Sequence, residues 1–152
     1  MVVNRQSAVG LSLPRVRTYC RRLHQALELD GRDFDVSFVS DREIARLNAQ
    51  YRGKRRPTDV LSFPWTGEDS ALRRERGALP DAAGREFAGF LGDVVISTET
   101  ARRNALAAGH STAREIRWLI LHGALHLLGF DHEADHGEMT RLELELRERL
   151  DA

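Results

Sequence analysis

The sequence has a single cysteine, Cys20, so no disulfide framework can form, and a reducing, cytoplasmic setting is the expectation. The opening MVVNRQSAVG lacks the basic-then-apolar build of a secretory signal. The longest mostly apolar run, residues 118–130, is too short to span a bilayer and carries two histidines, so no membrane partner is expected. Aromatic residues make up only 7% of the chain and do not interleave with basic ones, which argues against base-by-base readout of a nucleic acid through stacking. Net charge is absent too, with 23 basic against 23 acidic residues, but that balance hides an asymmetry. Residues 1–66 carry 12 Lys/Arg against 7 Asp/Glu, whereas residues 133–152 carry 3 against 7. A basic front half can face a polyanion, although charge alone is better read as two solvated faces.

What remains is an ordinary globular composition, and 152 residues suit one domain whose core needs no staples. Residues 13–29 read as a helix, with Pro14 in its first turn and Val16, Cys20, Leu23 and Leu27 at helical spacing. Residues 35–40 (DVSFVS) alternate polar and apolar, the pattern of a half-buried strand. A second helix is expected from Ser40 or Asp41, where Ser40 and Glu43 resemble a capping box, and it should stop before Pro57. Residues 58–63 and 92–97 are strand candidates rich in β-branched residues. The polar stretch between them, residues 66–89, reads as a long surface loop. Helices are expected at 98–108 and 112–128, broken at Gly109, and again from about 136 to 150 with Met139, Leu142, Leu146 and Leu150 at helical spacing. This order predicts an α+β fold: a small mixed sheet covered by helices, with a three-histidine zinc site at the end of a buried helix.

The zinc expectation comes from HGALHLLGFDH, residues 122–132. His122 and His126 lie four apart, so on a helix they project from one face, one turn apart. Gly129 sits where a helix ends, which lets His132 return toward the same point. Two unpaired imidazoles in an apolar helix would cost on the order of a few kcal/mol each, so a shared ligand is the better account. Three nitrogen ligands with one open position mark a catalytic zinc. The spacing is also that of metzincin proteases, but those need a glutamate directly after the first histidine, and Gly123 stands there. A peptidase is therefore disfavoured. A closed structural site would need a fourth ligand, for which Asp131, His136, His110 and Cys20 are the candidates.

A second segment, RGKRR at residues 52–56, holds four positive charges before Pro57 and joins a helix to a strand. Close to a zinc it would hold a phosphodiester, with Arg52 stabilising charge on phosphorus and Lys54, Arg55 and Arg56 attracting the strand. That closeness is an assumption which spacing cannot supply.

Together with LNAQYRGKRRPTDVLSFP (residues 47–64) and LGDVVIS (residues 91–97), the histidine segment resembles the YbeY family of zinc-dependent endoribonucleases and rRNA maturation factors. The resemblance runs over most of residues 35–150. It implies one zinc ion on His122, His126 and His132, and a functional arginine at Arg52. It further implies cleavage of single-stranded RNA in 3′ end maturation of small-subunit (16S) rRNA and in ribosome quality control, with ribosomal proteins as partners. Many family members have an aspartate where this chain has Arg55, which removes any salt bridge that the acid would make. Two rival expectations stand beside this one: a non-catalytic ribosome assembly factor braced by zinc, and a zinc hydrolase acting on another substrate. The general base is not identifiable from the sequence.

Overall fold

The computed structural model describes residues 1–65, 89–131 and 133–151. The expected loop at 66–89 therefore lies, except for Gly89, outside the described residues, as does His132. In chain order the described elements are β1 (Val2–Asn4), α1 (Leu13–Ala26), β2 (Asp33–Val39), α2 (Asp41–Arg52), β3 (Val60–Pro64), β4 (Phe90–Ser97), α3 (Thr98–Ala108), α4 (Thr112–Leu127) and α5 (Glu138–Asp151). The α+β expectation holds at this level: four strands in the order β1-β2-β4-β3 form a mixed sheet. β1, β2 and β4 run parallel, and β3 is an antiparallel edge strand on β4.

Side-chain alternation divides the sheet between two cores. Phe34, Val36, Phe38, Val94 and Ile96 face the main core, which α1, α4 and α5 complete with Leu23, Ile120, Leu125 and Met139. On the opposite face Val39, Leu61 and Val95 pack against Ile44 and Leu47 of α2. The half-buried reading of β2 needs correction, because every residue from Phe34 to Val39 is buried. Asp35 and Ser37, on the face expected to meet solvent, are only 5% and 4% exposed.

Helix boundaries follow local capping chemistry. Ser40, Ser97 and Ser111 each accept a hydrogen bond from the backbone N–H three residues on, which satisfies one donor at the starts of α2, α3 and α4. Only half of the expected capping box forms, since the Glu43 carboxylate turns to Arg46 at 2.7 Å instead. α2 ends at Gly53, not because of Pro57. Gly53 adopts φ +70°, and its N–H donates to Ala49 O, which closes the helix four residues before the proline. α1 is likewise shorter than expected, ending at Ala26 before the left-handed residues Glu28 and Asp30.

Asp41 locks two of these helix starts together. Its Oδ1 accepts from Ser97 Oγ and Thr100 Oγ1, both at 2.6 Å, and its Oδ2 accepts from Arg103 Nη2 at 2.7 Å. Glu99 returns the contact by accepting the backbone N–H of Asp41 at 2.9 Å. Burial raises the carboxyl's pKa, but these donors and the Arg103 charge outweigh it and hold Asp41 below its ordinary value.

Candidate metal and phosphate site

α4 is largely buried along its length, and it brings His122 and His126 to the edge of the core. Their Nε2 atoms lie 3.1 Å apart and the rings meet edge-on at 74°. Two nitrogens sharing a tetrahedral zinc at the usual Zn–N length of about 2.0–2.1 Å would sit roughly 3.3–3.4 Å apart, so this pair is already close to ligating separation. Gly129 ends the helical segment with φ +96°, as the returning-chain expectation required. Among the described residues no three His, Cys, Asp or Glu side chains form a metal-sized group. The expected third ligand, His132, is outside them.

Glu143 is the partner that sequence reasoning missed. Its Oε1 lies 3.0 Å from His122 Nδ1, and the residue is 9% exposed. On α5 Met139, Glu143, Leu146 and Leu150 are buried, and Leu142 packs half-buried against the main core. A carboxylate set in an otherwise apolar stripe was the available signal. Burial pushes its pKa up, yet His122 and Arg147 counter this and keep the carboxyl below its ordinary value. Arg147 in turn sits 4.2 Å above the centre of the Trp118 ring, and Trp118 Nε1 donates to Asp151 at 2.9 Å.

The candidates for a fourth ligand separate clearly. His110 pairs with Glu115 at 2.7 Å near the start of α4, three helical turns from His122. Cys20 packs against the main core on α1, where burial pushes its thiol up to about 11. His136 is exposed just before α5. Asp131 is exposed near the histidine pair, and its Oδ1 accepts the Glu133 N–H at 3.0 Å.

Arg52 and the histidines, assumed near each other in sequence reasoning, line one pocket of about 330 Å³ with Ser62, Phe130 and Asp131. Ser62 on β3 connects the two sides. Its carbonyl accepts Arg52 Nη2 at 2.8 Å, while its hydroxyl donates to Gly123 O at 3.1 Å, beside His122. Arg52 also lines an adjoining pocket of about 480 Å³ with Asn48, Lys54 and Arg56, so the two pockets share that residue. Arg55 is exposed and lines neither.

The structure explains the glycine that stands where a peptidase would have its glutamate. A Cβ on Gly123 would lie 2.6 and 2.9 Å from the two Val94 methyls and 3.2 Å from Ser62 Oγ. This position faces the sheet, so any side chain there would collide with Val94 of β4.

The sequence profile of the family described as Endoribonuclease YbeY matches residues 2–151. The chain belongs to the YbeY family. Endoribonuclease YbeY of Solibacter usitatus is 38% identical over 149 residues, which are 98% of this chain and 86% of that protein. The Koribacter versatilis protein of the same name is 37% identical over 150 residues, 99% and 85% of the two chains. That of Desulfitobacterium hafniense is 44% identical over 125 residues, 81% and 74% of the two. The solution structure of TM1509 from Thermotoga maritima superposes with a TM-score of 0.62 at 26% identity, covering 99% of this chain and 89% of that one. No described helix of this YbeY-family chain is long and apolar enough to cross a membrane.

Proposed function

We propose that this chain is a zinc-dependent endoribonuclease that cuts single-stranded RNA, serving 3′ end maturation of small-subunit rRNA and ribosome quality control. Membership of the endoribonuclease family supports the reaction class. The observation that carries the site assignment is one pocket lined by both Arg52 and the His122–His126 pair. A metal site and a phosphate-holding cation on one wall are what phosphodiester hydrolysis needs.

His122, His126 and His132 would hold the zinc. The near-ligating separation of the first two nitrogens and their nitrogen-only donor chemistry both fit that ion. When bound, zinc supplies Lewis acidity, polarising a phosphoryl oxygen and making water acidic enough to react near neutral pH. Arg52 does the binding and charge compensation. A guanidinium has five N–H donors; one bonds the Ser62 carbonyl, which steadies the head group, and others can grip phosphate oxygens. Lys54 and Arg56, on the adjoining pocket, extend the positive surface along a strand that passes Arg52. Exposed Arg55 adds charge at longer range.

The test uses metal-loaded protein with single-stranded and duplex RNA, beside Arg52→Ala and His126→Ala, with zinc measured in each sample. Cleavage confined to single strands is expected, lost in both variants, with zinc lost only in the histidine variant. Native protein that binds zinc stoichiometrically yet cuts no RNA would refute the catalytic reading and leave the assembly-factor role.

A further inference from the structure

Glu143 is an oddity that the phosphate and metal chemistry above does not use. It occupies one of the four buried positions on α5, and the other three are Met139, Leu146 and Leu150. Burying a carboxylate in such a stripe is costly unless its oxygens are paired. Its pairing partners are unequal. Arg147 Nη2 lies 3.5 Å from Oε1, whereas His122 Nδ1 lies 3.0 Å from the same oxygen. A pairing with Arg147 alone would be met as well by a carboxylate on the exposed side of the helix. Reaching His122, which is 21 residues away on α4, requires this inward position.

The chemical consequence follows from what each group can donate. An ionised carboxylate only accepts, so the proton between the two must sit on His122 Nδ1. With Nδ1 turned to Glu143, Nε2 is the ring nitrogen that faces His126 and the candidate metal position. That atom lies 3.1 Å from His126 Nε2. We propose that Glu143 is a positioning residue for His122: its bond to Nδ1 fixes the tautomer and ring orientation that present Nε2 to the cation. This role rests on the metal reading given above and deepens it. The carboxylate also makes the imidazole a stronger donor, and losing such a partner typically weakens metal binding about 10- to 100-fold. Arg147, 3.5 Å from the same carboxylate and 4.2 Å above the Trp118 ring, braces α5 against α4, while the shorter bond to His122 Nδ1 sets the carboxylate's position.

The experiment measures zinc dissociation constants by competition with a chromophoric chelator for native protein, Glu143→Gln and Arg147→Met. Glu143→Gln should bind zinc about 10- to 100-fold more weakly at unchanged stoichiometry and helical content. Arg147→Met should lose thermal stability yet keep near-native zinc affinity, which separates positioning from bracing. Equal zinc affinity in native protein and Glu143→Gln overturns the proposal while leaving the metal reading intact. Native protein that takes up no zinc overturns both. A measurement on the native, metal-free chain guards against a variant that fails to fold. A long-range proton–nitrogen correlation spectrum should show His122 protonated on Nδ1, and the Nε2–H tautomer would overturn the role.

Discussion

Replacing Gly123 by alanine sets two opposed effects against each other at one atom. Alanine is favoured over glycine inside a helix by roughly 1 kcal/mol, so on propensity alone the change would stabilise α4. The added Cβ, however, would stand 2.6 and 2.9 Å from the methyls of Val94 and 3.2 Å from Ser62 Oγ. Val94 is 0% exposed and lies on β4, which is paired on both sides by β2 and β3. Its β-branched side chain has little χ1 freedom, and the strand cannot retreat without disturbing two ladders. Overpacking costs about 1–3 kcal/mol, and this confined position belongs in the upper half of that range. The net expectation is a loss of about 1–2 kcal/mol, or a fall in Tm of roughly 3–6 °C for a chain of this size. Thermal and urea unfolding of Gly123→Ala, Val94→Ala and the double variant would measure it. In the Val94→Ala background the clash is gone, so Gly123→Ala should become neutral or stabilising, giving a coupling of about 1–3 kcal/mol. A single Gly123→Ala variant more stable than native protein would refute the packing argument. It would also remove the structural reason given for the absence of a glutamate beside His122.

Three further outcomes are expected. Asp41→Asn should cost about 1–2 kcal/mol near neutral pH, because the carboxylate accepts three charge-assisted bonds. Its folded pKa lies below the unfolded value, so that stability is present above the unfolded pKa of about 3.9 and fades as pH falls through the folded one. Urea unfolding across pH 2–7 should show the native-to-variant gap closing on acidification, and a constant gap would contradict the assignment. Gly92→Ala should lower stability by more than about 2 kcal/mol, since Gly92 has φ +142° and an added Cβ would fall 2.3 Å from Phe63 O; unchanged Tm would count against the register of β3 on β4. Arg52→Lys should lose single-strand cleavage roughly 10²-fold while retaining zinc, because an ammonium cannot bond Ser62 and grip phosphate in the same fork. Near-native cleavage by that variant would show that only charge matters there.

Much of the architecture was legible because it is written in local chemistry. Ser40 and Gly109 mark helix ends through bonds that span three or four residues, and periodicity then supplies the type of element between them. Where reasoning failed, the deciding contact was distant. β2 reads as half-buried because alternation reports which residues share a face, and it cannot report that both faces are covered. Leu142 and Glu143 are adjacent on one helix; the leucine packs against the core as its hydrophobicity suggests, but nothing local marks the glutamate as buried beside it. Only the imidazole of His122, reaching from another helix, makes the glutamate the inward residue. The histidine pair could be read from a four-residue spacing, whereas its neighbour Arg52 could not. Their meeting depends on Ser62, whose carbonyl holds the arginine and whose hydroxyl holds the histidine helix. Gly123 was legible as a missing glutamate, but its cause, a close approach between helix and sheet, belongs to tertiary structure.

The central claim is that a cation held by His122, His126 and His132 and the guanidinium of Arg52 act on one phosphodiester. The most direct test strips the native protein of metal with a chelator and adds zinc back stepwise while single-strand cleavage and bound zinc are followed together. Activity should be absent without metal, rise in proportion to bound zinc and level off at one ion per chain. Full cleavage by the metal-free protein, or zinc uptake that brings no activity, would contradict the account.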